Sequence, residues 1–224
     1  MPLTKVEIIE YLNFLENEVV AILIHDKMFK ETTTIIQSNK SIFRKNTFYD
    51  WMVNAYVSDI IIRIRRSIDE RRDVRSILRF LMEIKKEPTF RTKEMFINQC
   101  KSLNPTLPEI EALAERDFYS IAGNGSRFFS DDLIQKDIDD LKSKCEKIEI
   151  FSNSFITHSS LDVKDGHSHL EIPTFTDVND AILFLEELVK KYILLFRGVQ
   201  KGTLMPIWQY DWKTIFETPW IQKP

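Results

Sequence analysis

Apolar residues recur along this chain at intervals of three and four, the period of helices that bury one face. Ile8, Leu12, Leu15, Val19, Ile22, Leu23 and Phe29 make the first such stripe. Thr4 precedes it with Glu7 three residues later, a capping-box pattern, so a long helix is predicted from about residue 4 to residue 30. The polar stretch from Glu31 to Lys40 either extends or breaks it. A second long helix is predicted from about Asn46 to Asp69, with Trp51, Met52, Ala55, Ile61, Ile62, Ile64 and Ile68 inward. Asp59 and Arg63 stand four apart on it and are placed to pair. A third runs from Val74 to about Lys85 on Ile77, Leu78, Leu81 and Ile84, and Pro88 stops it. A weaker helix covers Thr92 to Leu103, and Pro108 opens a short one to about Phe118. After a glycine-rich loop at 123–126, Asp131 or Asp132 caps a helix carrying Leu133, Ile134, Ile138, Leu141, Cys145 and Ile148, which runs to about His158. The polar segment from Ser159 to Thr174 reads as a loop. Thr176 caps the last helix, Asp177 to about Gly198, striped by Ile182, Leu185, Leu188, Val189, Ile193 and Phe196. Trp208, Trp212, Phe216 and Trp220 form an aromatic tail expected to clamp onto the bundle.

These elements predict one all-α domain over residues 1–224. Its architecture is an up-and-down bundle of four long helices, with short additional helices and the aromatic C-terminal tail. With 43% hydrophobic residues in 224, the core needs no metal or disulfide staple. Cys100 and Cys145 match no paired metal spacing and read as reduced thiols of a cytoplasmic protein. The start lacks the basic and apolar regions of a signal peptide. No apolar run approaches the roughly 20 residues of a membrane span. A phosphate-cradling glycine loop and a nucleophile elbow are both missing, so neither nucleoside-triphosphate hydrolysis nor serine-hydrolase chemistry is indicated. The formal charge is −3, so attraction to nucleic acid has to come from local patches.

Two segments concentrate chemistry. His158, His167 and His169 lie within 12 residues, with Asp162 and Asp165 between them. This cluster reads as a solvated loop, as a zinc or manganese site, or as the setting for His158 as a proton-transfer group. The second segment is arginine-rich. Arg63, Arg65, Arg66, Arg71, Arg72, Arg75 and Arg79 face only Asp69, Glu70 and Asp73, so seven minus three leaves four excess positive charges. That is either a phosphate-binding strip or a helix end with local salt bridges, Asp69 being the natural partner for Arg65 or Arg66.

The stretch Ser152-Asn153-Ser154-Phe155-Ile156-Thr157-His158 resembles the motif of HEPN ribonucleases, in which an arginine and a polar residue precede a histidine. Asn153 matches the polar position and His158 the histidine, and the arginine position falls on Ser152. Ile64-Arg65-Arg66-Ser67-Ile68-Asp69 and Tyr210-Asp211-Trp212, with Pro219-Trp220, resemble segments of the abortive-infection-associated U-type branch. The resemblance implies an RNA-directed domain in prokaryotic defence or a toxin–antitoxin system. It also implies a homodimer whose motif histidines line a shared cleft, and an antitoxin or nucleotidyltransferase as partner.

Metal-free cleavage and no cofactor are implied too. His158, Asn153 and Ser152 become the catalytic candidates, and Arg65, Arg66, Arg71, Arg72 and Arg75 the RNA-binding ones. In such chemistry a histidine moves the proton of the 2′-hydroxyl and a guanidinium stabilises the charged phosphorane. Serine cannot supply that charge, so either the site is weakened or another arginine serves it. At the arginine position Ser152 is expected to line the cleft, with room for a longer side chain. A non-catalytic module binding RNA, nucleotide or protein, and a metal-dependent hydrolase built on the His158–His169 loop, are the alternatives.

Overall fold

The computed structural model describes residues 3–39, 42, 47–156 and 171–217, without the side chains of 155 and 156. Its helices are α1 (Lys5–Ser38), α2 (Thr47–Ser67), α3 (Ile77–Ile84), α4 (Lys93–Leu103), α5 (Ile110–Ala122), α6 (Asp131–Phe151) and α7 (Phe175–Arg197). Among the described residues there is no strand, only an isolated bridge between Thr92 and Phe128. The fold is the expected all-α bundle. Here α1, α2, α6 and α7 form the ring, each antiparallel to its neighbours. Cross-links at opposite ends show this: Glu18–Arg66 and Asp26–Tyr56 join α1 to α2, and Glu16–Arg197 and Lys30–Asn179 join α1 to α7. The short helix α3 packs on α6 and α1, and α4 and α5 pack together beside α7.

Local chemistry sets most boundaries. Thr4 and Glu7 form the predicted reciprocal cap, and α1 continues through the polar stretch to Ser38. The cap of α6 is Ser130 rather than either aspartate, because its hydroxyl accepts from the Leu133 N–H. The cap of α7 is Thr174, two residues before the expected Thr176, with Asp177 closing a second capping box. Gly198 ends α7 in the left-handed conformation that favours glycine, at φ 63°.

The inward stripes of α1, α3, α6 and α7 are as the period predicts, with Phe29 and Leu133 half-buried. The phase of α2 is so only in part, with Ile61, Ile64 and Ile68 buried as predicted. Tyr56, Ile60, Ile61 and Ile64 are buried, whereas Trp51 is 62% and Ile62 38% exposed, and Ala55 is exposed too. With so many apolar residues all round α2, its sequence does not fix which arc turns inward. At the core's centre Phe80 meets Tyr11, Tyr192 and Phe196 edge-on, at centroid distances of 5.4, 5.7 and 6.1 Å.

Arg91 is buried, its guanidinium donating to the Phe129 and Lys85 carbonyls and to Asp131 at 2.6 Å. It thereby stitches the turn before α4 to the start of α6. In the tail, Trp208, Trp212 and Phe216 pack in series at 6.3 and 6.0 Å, and Lys213 ties them to Glu31 of α1 at 3.1 Å. Pro219 and Trp220 lie outside the described residues. No described helix is long and apolar enough to cross a membrane.

Candidate active site

Helix α6 ends in a single π turn, Ser152–Ile156, which packs against α2. The extra residue in such a turn rotates the residues after it relative to the α-helical face. Ser152 is fully buried there, so the expectation that this position lines a cleft with room for a longer side chain does not hold. Asn153, the next residue, is exposed. His158, and with it the histidine and aspartate cluster at 158–169, lies outside the described residues.

What stands beside Asn153 is an arginine from another helix. Arg65, on the last turn of α2, donates from Nε to Asn153 Oδ1 at 3.4 Å and from Nη1 to Asp69 Oδ2 at 2.8 Å. These two bonds leave three of the five guanidinium N–H groups, on a side chain that is 30% exposed.

Asp69 is the anchor of the arrangement. It is nearly buried and also accepts from the Arg71 backbone N–H, Nε and Nη2. The Arg71 hydrogen bonds, aided by Arg65 and opposed by burial, hold its carboxyl below the usual range. Ser76 locks the following turn, its hydroxyl donating to the Asp69 carbonyl at 2.6 Å and accepting from the Arg79 N–H.

The remaining arginines are mostly committed. Arg63 pairs with Asp59 as predicted, Arg66 lies 3.8 Å from Glu18, and Arg79 pairs with Glu83. Arg75 sits 5.8 Å over the rings of both Tyr11 and Phe14. Arg72 is exposed and, among the described residues, makes none of these contacts. The free positive charge is thus smaller than the sequence count suggests.

On one flank, a depression of about 300 Å³ between the α2–α3 turn and α6 is lined by Glu70, Glu146 and Glu149 against a single Lys142. Phosphates are repelled from that side.

A second polar cluster went unseen in the sequence. His25 Nδ1 lies 2.6 Å from Asp59 Oδ2, and Arg63 Nε donates to both Asp59 oxygens at 3.0 Å. Burial opposes ionisation of Asp59, but the bonds from His25 and Arg63 prevail and lower its pKa. The two helices meet here across 34 residues of chain, and no local spacing marks the contact.

No curated protein and no solved structure matches the chain. A family model does: HEPN_AbiU2, described as AbiU2, covers residues 5–214, from the first helix to the aromatic tail. By that match, and with the all-α bundle that carries it, the chain belongs to the AbiU2 family of HEPN domains, the abortive-infection U-type branch.

Proposed function

We propose that this chain is a metal-independent endoribonuclease of cytoplasmic prokaryotic defence, folded as one domain, in which Arg65 takes the part of the motif arginine. The observation that carries the reading is the hydrogen bond from Arg65 to Asn153, which joins the α2 arginine segment to the motif turn. A guanidinium oriented by Asp69 is a preorganised donor for developing phosphorane charge. In the proposed step His158 takes the proton of the 2′-hydroxyl, whose oxygen bonds to the adjacent phosphorus. The bond to the 5′-oxygen breaks and that oxygen takes a proton from solvent, to which His158 returns the one it accepted, leaving a 2′,3′-cyclic phosphate and a 5′-hydroxyl. Arg72 contributes to holding the strand, and Trp51, Ala55, Ser58 and Ile62, three and four residues apart on the outer face of α2, suit a twofold contact with a second copy.

The test is cleavage of single-stranded RNA in excess chelator, with the new ends identified by mass spectrometry. Cyclic phosphate ends formed without metal support the reading. Cleavage only after metal is restored would favour a hydrolase built on the histidine loop, and binding without cleavage a non-catalytic module.

A further inference from the structure

At the far end of α2 from Arg65, α1, α2 and the start of α7 enclose a pocket of about 690 Å³, walled by Phe29, Tyr49, Val53 and Phe175. A smaller apolar recess of about 220 Å³ shares Val53 and Phe175 with it and extends past Ile60 and Ile61 to Phe151, the residue before Ser152. Together they trace α2 towards the Arg65–Asn153 contact. From Asn54 to Arg65 the helix rises roughly 16 Å, a few nucleotides of a single strand. The acidic depression beyond Asp69 disfavours phosphates on the α6 side of the α2–α3 turn alone.

We propose that this pocket receives an unpaired nucleobase, and that the base belongs to the RNA strand whose backbone lies at Arg65. The inference rests on the reading of the Arg65–Asn153 site given above. Three aromatic rings stand in nearly parallel planes, and two of them, Phe29 and Phe175, line the pocket. Tyr56 stacks on Phe29 at 3.8 Å and 1°, and Phe29 lies 6.1 Å from Phe175 at 12°. The Tyr56 hydroxyl is held by Asp26 at 2.8 Å, so the stack is fixed from behind. Phe175, in contrast, is 61% exposed although the capping box at Thr174 pins its backbone. An exposed ring fixed on a rigid element is a stacking platform for any base.

The pocket's polar groups suit a base edge rather than a phosphate. Lys30 is engaged by Asp26 at 2.7 Å and Asn179 at 2.8 Å, and Asp50 offsets its charge. Gln37 and Asn54 each present an amide that both donates and accepts, the pairing adenine takes from such side chains. Neither amide, nor the Asp50 carboxyl, makes a side-chain hydrogen bond among the described residues. Thr33 Oγ1, on the same wall, is shielded from solvent and has no hydrogen-bond partner among the described residues.

The experiment uses a short, fluorescein-labelled single-stranded RNA, 2′-O-methylated so that it cannot be cleaved, beside its duplex, adenosine and AMP. Phe175→Ala is expected to weaken single-strand affinity about 5- to 150-fold while Phe175→Tyr retains it, and duplex affinity should not change. Asn54→Ala should alter the preference among bases. Both side chains are exposed, and circular dichroism melts verify that the variants stay folded. Adenosine or AMP binding as tightly as the strand, and lost in Phe175→Ala, would retain the base pocket but assign it to a free nucleotide. Single-strand binding equal to wild type in both Phe175→Ala and Asn54→Ala overturns the pocket and leaves the Arg65–Asn153 reading standing. No binding of any of these probes by the wild-type chain overturns both.

Discussion

In the proposed site Arg65 takes the part that the motif resemblance gives to position 152. Ser152 falls where the motif would carry its arginine, yet it is fully buried at the end of α6. Arg65, 88 residues before Asn153, is the guanidinium that meets it. Inserting an arginine at 152 would place an unpaired charge in a buried site, which costs about 3–5 kcal/mol. Ser152→Arg is therefore expected to lower the urea midpoint sharply and to bring no gain in cleavage. A stable Ser152→Arg protein with raised cleavage would return that position to the active cleft. Arg72 poses a separate question, because it is the exposed arginine of the strip with no partner among the described residues. Arg72→Gln should weaken RNA binding similarly across sequences and reduce the salt slope by about 1. Arg75→Gln should leave the slope nearly unchanged, since that guanidinium lies over Tyr11 and Phe14. A titration of affinity against salt for the two variants separates them.

Among the helices, what the sequence reveals divides by how local its cause is. The stripes of α1 and α7 and the Thr4–Glu7 box were readable because each is set by residues three or four apart. So were the Asp59–Arg63 and Arg65–Asp69 pairs, both on successive turns of α2. The facing of α2 was readable only at Ile61, Ile64 and Ile68, since Trp51 and Ile62 are as apolar as the residues that turn inward. The burial of Ser152 continues the α6 stripe four residues after Ile148, and the motif resemblance, which set it at a cleft, obscured this. His25–Asp59 and Arg65–Asn153 also escaped, since packing between helices brings them together. Of the candidate site, the α2 segment and Asn153 were legible in the sequence, and their mutual contact was not. The exposed positions Trp51, Ala55, Ser58 and Ile62 repeat every three or four residues, a pattern that fits a second helix. Light scattering at tens of micromolar should report a dimer for the wild-type chain and a monomer for Trp51→Lys with Ile62→Lys. A monomeric wild-type mass would remove the shared-cleft arrangement.

Across the molecule, several carboxylates ionise more readily folded than unfolded. Asp69 is kept below its ordinary range by Arg71 and Arg65. Asp59 and Glu16 are also lowered, with burial opposing and hydrogen bonds from His25 and Arg63, or from Lys201 and Arg197, prevailing. A depressed folded pKa contributes stability that is complete above the unfolded value of about 4 and is lost as pH falls below it. Urea unfolding across that range should show stability falling towards acid, with a shallower fall in Asp69→Asn. An equal slope in that variant would place the proton linkage elsewhere.

In the proposed cleavage Arg65 stabilises the charge developing at phosphorus while His158 moves the proton. The single-turnover rate of RNA cleavage in chelator, measured for wild type, Arg65→Gln and His158→Ala, examines both roles at once. Removing one charged transition-state donor costs on the order of 100- to 1000-fold in rate. A loss of that size is expected in Arg65→Gln with RNA affinity little changed, and no detectable cleavage in His158→Ala. Metal-free cleavage at the wild-type rate in Arg65→Gln would contradict the part assigned to that guanidinium.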